Sequence, residues 1–549
     1  MKLYEFLFDE LHRHGVRQVF GIPGDFVLNL YEALQKYGKF QIVTLGHEPA
    51  VGFAADGAAR ITNGLGVCCV TYGAGGLNML NSVACAYAEK SPLVILSGGP
   101  GRMEKRSGML IHHEVKSYDS QLKVYSEVAE FGAILDDPRT AATNIRKAVN
   151  ITLKFMRPVY LEVPRDMVFA EIEVPADFEE VEMKVEPGAL DEATEEIIER
   201  LTASQHPVLV VGVEVHRFRL QEKVLRLAER LQIPVTSSFL GRGIFPTLHP
   251  QFIGTYLGSV SPEPLRQIVE QSDCLLLLGV LVSDTSLGIP AASINESNTI
   301  LAISRDVFIK YHRYQNTPLD LLLDRLLDSP HLPRKGVALP DWRTDISPEI
   351  FEPFDEQQPI KVRHLIHILN EFLQERPEVP VVSDTGDCLF ASVDIRANAT
   401  IAPAYYATMG FAVPAALGIQ VASGLRPLVL VGDGAFQMTG CELSQCARYE
   451  LNPIVVVFNN SRWEMLQAIF PEARYNETVA WPFARLAELW GGVGFEVRTP
   501  AELRQALREA HSATQFSLLD VRLERGDISP ILSGFVNAVR GRVAGSGSK

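Results

Sequence analysis

The sequence predicts three α/β domains, each a mainly parallel sheet with helices on both faces, and three observations carry that prediction. Val- and Ile-rich runs of four to eight residues alternate with longer helix-period stretches along the whole chain, the pattern of strands buried on both faces. At 549 residues the chain exceeds what one hydrophobic core organises, since domains take roughly 100–200 residues each. Two stretches rich in proline and charge, 170–195 and 328–359, break the alternation. The expected domains are 1–175, 190–330 and 355–544.

In the first domain, "QVFGI" (18–22), "VCCVTYG" (67–73), "PLVILSGG" (92–99) and "PVYLEVP" (158–164) read as strands, and "GHEPAVGFAADGAAR" (46–60) as a tightly buried helix. Glu48 is the anomaly there, because an ionised carboxylate at the head of an Ala, Gly, Val and Phe run is costly to desolvate. It either caps the helix that begins near Pro49 or is kept for its proton. The second domain offers "PVLVVGVEV" (207–215), "PVTSSF" (234–239), "CLLLLGVLVSD" (274–284) and "TILAIS" (299–304). Asp284, closing the third of these, reads as a helix cap or a regulator contact. The third domain repeats the pattern through "PVVSD" (380–384), "PLVLVGDG" (427–434), "PIVVVFNN" (453–460) and "FSLLDVRL" (516–523).

Composition bounds the function. With 47% hydrophobic and 21% charged residues the chain reads as an ordinary soluble protein. A net charge of -15 argues against nucleic acid and anionic membranes as partners. No run approaches the ~18 apolar residues of a membrane span, and Glu5, Asp9 and Glu10 ill suit a signal peptide. A cytoplasmic protein is expected, its seven cysteines reduced core thiols without a C-x-x-C pair. The closing "GSGSK" reads as a flexible tail.

The most informative constellation is "GDG" at 432–434 with "NN" at 459–460. Asp433 and Asn460 stand 27 residues apart, close to the ~30 of one βαβ unit, so both fall beyond the carboxyl ends of neighbouring parallel strands. A carboxylate, an amide oxygen and a backbone carbonyl are hard donors of the kind Mg²⁺ prefers. Gly432 and Gly434 allow close backbone approach to phosphate. Alone, "GDG" is an ordinary turn; with "NN" in register it is more.

By these motifs the chain resembles the thiamine-diphosphate-dependent enzymes. The resemblance implies Mg²⁺ held by Asp433, Asn460 and the carbonyl of Arg462, and the cofactor held by Thr385, Asp387, Ala407, Met409, Gly432, Asp433, Gly434, Ala435, Asn460 and Trp463, with Met409 as the apolar wedge beneath it. It also implies that Glu48 hydrogen-bonds the aminopyrimidine ring, a role suited to a buried acid with a raised pKa. In such enzymes the first domain of one subunit faces the third domain of another, which implies a homodimer at minimum and commonly a homotetramer.

"GIPGDF" with Asp25, "IHHEV" with His112 and His113, "SDTGDCLF" (383–390) and "YYATMGFAVPAALG" (405–418) resemble the pyruvate and indolepyruvate decarboxylase branch of 2-oxo acid decarboxylases. There the Asp and His pair relay protons, so the implied catalytic residues are Asp25, Glu48, His112 and His113. Taken singly, the histidines read as a surface loop and Met409 as core.

One position departs from the pyruvate decarboxylase pattern. Six places beyond Asn460, where that pattern has an acid, stands Leu466. The stretch "WEML" resembles the phenylpyruvate decarboxylases of the branch. Met465, Leu466 and Ile469 share one helix face, and with Phe390 they predict an apolar substrate pocket for aromatic or medium- to long-chain aliphatic 2-oxo acids. A pyruvate or branched-chain decarboxylase, or a carboligase of the same cofactor family, is the alternative. A nicotinamide oxidoreductase would need G-x-G-x-x-G, which "YGAGGLN" and "GDGAFQ" both miss. A non-catalytic scaffold would not be expected to keep Asp25, Glu48, both histidines, Asp433 and Asn460 together.

Overall fold

The computed structural model describes residues 1–178, 183–283, 294–339 and 346–546, with side chains through 540; Asp284 lies outside the described residues. The first sheet comprises β1 (Gln18–Gly21), β2 (Gln41–Thr44), β3 (Gly66–Val70), β4 (Leu93–Gly99), β5 (Phe131–Ile134) and β6 (Val159–Pro164), in the all-parallel order β2-β1-β3-β4-β6-β5. The third sheet comprises β14 (Val381–Ser383), β15 (Thr400–Ile401), β16 (Leu428–Gly432), β17 (Ile454–Asn459), β18 (Val493–Val497) and β19 (Ser517–Arg522). Its order, β15-β14-β16-β17-β19-β18, repeats that of the first strand for strand, again all parallel.

The middle sheet holds β7 (Pro207–Val211), β8 (Val235–Ser237), β9 (Phe252–Thr255), β10 (Cys274–Leu278), β11 (Thr299–Ala302), β12 (Asp306–Ile309) and β13 (His312–Gln315). Its order is β13-β12-β11-β10-β7-β8-β9. The strand order reverses between β7 and β10, as in doubly wound folds, and an antiparallel hairpin of β12 and β13 closes one edge.

The apolar runs of the sequence became strands within a residue or two at most ends, and they occupy the interior of each sheet. Of the strands that carried no such run, β2, β5, β9, β13, β15 and β18 are the sheet edges, and β12 lies next to the edge within the β12–β13 hairpin. An outer strand has one unpaired side and is covered less completely, so its side chains need not be apolar; β13 reads His-Arg-Tyr-Gln, and three of its four residues are exposed.

Three expected extents need correction. The run 274–284, among its described residues, forms a strand only over Cys274–Leu278. "VEV" does not extend β7, because Val213–Arg217 is a helix whose polar residues face the first domain, the Arg217 Nε donating to the Lys90 carbonyl at 2.6 Å. The break in the alternation at 170–195 is also shorter than expected, since helix Pro187–Ala203 begins within it and buries Leu190, Ala193, Ile197 and Leu201 in the middle domain's core.

The first and third domains share a core. Helix Glu48–Thr62 lies directly on helix Ala412–Ser423, and small residues permit that approach. A Cβ on Gly57 would stand 2.3 Å from the Ala415 carbonyl oxygen, and one on Gly418 1.9 Å from that of Ala54. The Ala- and Gly-rich run thus serves a helix crossing. Among the described residues no helix is long and apolar enough to cross a membrane. All seven cysteines are free thiols, six of them buried and Cys441 exposed.

Candidate active site

A cavity of about 300 Å³ opens at the carboxyl edge of the third sheet. Pairing of Gly432 with Phe458 sets β16 and β17 in register, so Asp433 and Asn460, just beyond the paired ends, come to the same edge. Both line the cavity, with Thr385, Asp387, Ala407, Met409, Gly432, Gly434, Ala435, Arg462 and Trp463. The side chain that Gly434 lacks would stand 2.2 Å from the Trp463 indole nitrogen, so only glycine leaves room for the indole there.

The cavity is edged with acids held in unusual states. Burial pushes the Asp433 carboxyl up to about 6, against the pull of the Gly434 and Ser461 N–H groups and the Thr478 hydroxyl. Asp384 is also raised to about 6 by burial, although the N–H groups of Ala412, Gly410 and Thr385 donate to it. Those bonds fasten the turn that carries Met409 to the end of β14. Asp387 is raised to about 7 by burial and accepts the Ser529 hydroxyl at 2.5 Å. Glu464, also raised chiefly by burial, accepts the Gly526 N–H at 3.0 Å. The loop 526–529 is therefore tied to the cavity wall through both acids.

A second group of side chains forms on the first domain. Asp25, opening the 3₁₀ turn after β1, meets the His112 Nε2 at 2.5 Å and the His113 Nε2 at 3.9 Å. Burial pushes the Asp25 carboxyl up, but the His112 hydrogen bond and the charges of both imidazoles outweigh it and hold it below the usual range. Phe26 stacks on His112, ring centroids 4.7 Å apart, which orients the imidazole. Glu48 starts its helix as expected, with Pro49 in the first turn, but it is only half-buried; its Oε2 accepts the Asn78 amide at 2.7 Å.

The cavity lining includes none of Asp25, Glu48, His112 or His113. The expected deep burial of Glu48 is not met within one chain, because the buried part of its helix, Ala50 to Arg60, turns into the core while the first residue sits at the open end. Met465 and Leu466 line the cavity, Leu466 remaining 45% exposed at its mouth. Ile469 ends the six-residue helix Glu464–Ile469 and lies outside the lining, and Phe390 turns away to pack on Phe239 and Phe535. Glu464, Gly386, Cys388 and Phe458 complete the lining; only the position of Glu464, two residues before Leu466, hinted at its part.

Three family models match in chain order: the N-terminal thiamine pyrophosphate binding domain of thiamine pyrophosphate enzymes over residues 1–123, their central domain over 194–316, and their C-terminal thiamine pyrophosphate binding domain over 377–521. The chain is 41% identical to the indole-3-pyruvate decarboxylase of Azospirillum brasilense over 539 residues, 98% of each chain. It is 29% identical to the pyruvate decarboxylase of Aspergillus fumigatus, covering 98% of this chain and 97% of that one. It is 27% identical to pyruvate decarboxylase isozyme 2 of Saccharomyces cerevisiae over 91% and 90%. Duplicated parallel sheets with polar groups gathered at one carboxyl edge make that edge a ligand site, and the matched families make the protein a cofactor-dependent α/β enzyme. The chain belongs to the thiamine-diphosphate-dependent 2-oxo acid decarboxylases, in their indolepyruvate and pyruvate branch.

Proposed function

We propose that this decarboxylase acts on 2-oxo acids with bulky apolar tails, aromatic ones such as phenylpyruvate or indolepyruvate or medium- to long-chain aliphatic ones, releasing the aldehyde and CO₂. The observation that carries this reading is Leu466 at the cavity mouth beside Met465, with no acid on that helix except Glu464, which is buried and engaged with Gly526. An apolar rim favours a substrate tail that gives up water: each buried CH₂ contributes ~0.8 kcal/mol, so a phenyl or long alkyl tail gains several kcal/mol over a methyl group. The naming of one relative as an indole-3-pyruvate decarboxylase supports the same choice.

The residues at the strand ends fit Mg²⁺ and a diphosphate. Asp433 is a buried carboxylate with no cationic side chain paired to it among the described residues, and burial at that cost calls for a cation. Asn460 and the Arg462 carbonyl would complete the protein's hard-oxygen donors. Thiamine diphosphate supplies the electron sink for loss of CO₂ when bound. Met409, Ala407 and Trp463 would orient it, and Thr385, Asp387, Gly432, Gly434 and Ala435 would border it. Glu48 would hold a proton at its free carboxylate oxygen, and Asp25, His112 and His113 would move protons to and from the substrate. Because those four residues lie outside the cavity of their own chain, the reading requires a second subunit: a homodimer at minimum, with a homotetramer as the working assembly, in the cytoplasm.

The test is kcat/KM across a panel of 2-oxo acids, the ratio that compares transition-state binding. Phenylpyruvate, indolepyruvate or a medium-chain linear acid should exceed pyruvate at least tenfold, about 1.4 kcal/mol. Preference for pyruvate or a branched-chain acid would overturn the substrate reading, and carbon–carbon bond formation as the main reaction would favour a carboligase.

A further inference from the structure

The third domain reaches across to the segment that carries Glu48. Between β2, which ends at Thr44, and the helix beginning at Glu48 lies a three-residue link whose helix N-cap, His47, makes no side-chain cap. A helix start is ordinarily fixed by its own Ser, Thr, Asp or Asn. Here the fixing comes from far away in sequence. The Gly46 N–H donates to the Glu442 Oε2 at 2.8 Å, and the Thr44 N–H donates to the Tyr449 hydroxyl at 2.7 Å.

Glu442 is 1% exposed, and no Lys, Arg or His pairs with it among the described residues. Burial pushes its carboxyl up, and the N–H groups of Gly46 and His47 pull it back. A buried acid without a cation is costly, and the amides it engages belong to the link before Glu48. The first domain acts reciprocally: Glu89, fully buried, accepts the N–H groups of Tyr405 and Tyr406 at 2.7 and 2.9 Å, immediately ahead of Ala407 at the cavity. The carboxylate of Glu48 is itself held by Asn78.

We propose that Glu442 and Asn78 are positioning residues for Glu48, Glu442 setting the backbone that presents it and Asn78 the direction of its carboxylate. The inference rests on the role proposed above for Glu48. Displacement of a reacting group by about 1 Å can cost on the order of a hundredfold in rate, so loss of either hold should register in the proton step before it registers in binding.

The experiment uses the holoenzyme with thiamine diphosphate and Mg²⁺. Hydrogen–deuterium exchange at C2 of the bound cofactor is read by NMR after acid quench, beside cofactor affinity by calorimetry. Glu442→Ala and Asn78→Ala should slow exchange about tenfold or more with affinity within about threefold of the parent. Glu442→Gln, whose amide oxygen still accepts from Gly46, should regain most of the rate. Exchange at the parent rate in both alanine variants, or Glu442→Gln no faster than Glu442→Ala, would overturn the inference. Asn78 is exposed, so its variant keeps the test open if Glu442→Ala fails to fold. Glu48→Gln run in parallel separates the two readings. Parent-rate exchange in that variant defeats the role of Glu48 and the inference with it. Abolished exchange there, with normal alanine variants, defeats the positioning alone.

Discussion

Replacing Arg60 with Met should strip the junction of the first and third domains of its central cation while keeping side-chain length. Arg60 is 3% exposed, and its partners Asp56 and Glu89 are 0% exposed. Both Asp56 oxygens depend on it, at 2.8 Å from Nε and 2.7 Å from Nη2, so Asp56 would be left unpaired. Glu89 would lose the Arg60 Nη1 at 2.7 Å but keep the Tyr405 and Tyr406 amides on its other oxygen. Burial alone would lower the guanidinium's pKa, yet Asp56 and Glu89 hold it well above the ordinary value. Removing one member of such a buried group costs roughly 3–5 kcal/mol, and one orphaned carboxylate with a second partly retained puts this case near 4, or roughly 8–16 °C for a cooperative unit of ~150–250 residues. Urea midpoints at unchanged slope measure it, with thermal scans compared at one fixed rate because large proteins unfold irreversibly. Asp56→Leu combined with Arg60→Met should recover about half the loss, because the unpaired charge is then gone. A loss below about 1 kcal/mol in the single variant, or a double variant no more stable than the single, would refute the reasoning.

Asp433→Ala should weaken Mg²⁺-dependent retention of thiamine diphosphate at least about tenfold, since water replaces an anionic ligand poorly; equal calorimetric affinity in variant and parent contradicts it. His112→Phe removes the hydrogen bond that holds the Asp25 carboxyl below its usual range. Asp25 then protonates at a higher pH, so the acidic limb of the activity profile should move upward in pH, with aldehyde release reduced more than cofactor binding. An unchanged pH profile at full activity would return the histidine pair to an ordinary loop.

How much of this was legible in the chain follows from how far each signal reaches. An interior strand is walled by neighbours on every side, so β4, β10 and β17 had to be nearly continuous apolar runs, and periodicity alone revealed them. The outer strands β2, β13 and β18 owe their conformation to a single paired neighbour and to no pattern of their own. "GDG" and "NN" were readable because their spacing is one crossover, a local property of the chain. The Ala- and Gly-rich helix was read correctly as buried, but its purpose, close contact of Gly57 with Ala415 and of Ala54 with Gly418 across a crossing of two domains, was visible only in the tertiary structure. Type and helical phase made Phe390 and Ile469 pocket candidates; that Phe390 also packs on Phe239 and Phe535 is a contact neither signal could reveal. Glu442 stands 396 residues from the Gly46 amide it accepts, and Glu89 316 from that of Tyr405. Sequence determined the strands, the chemistry at their ends and the family, because those are written in neighbouring residues; tertiary structure decided which buried acids hold which loops, because such contacts depend on the meeting of surfaces that no local pattern encodes.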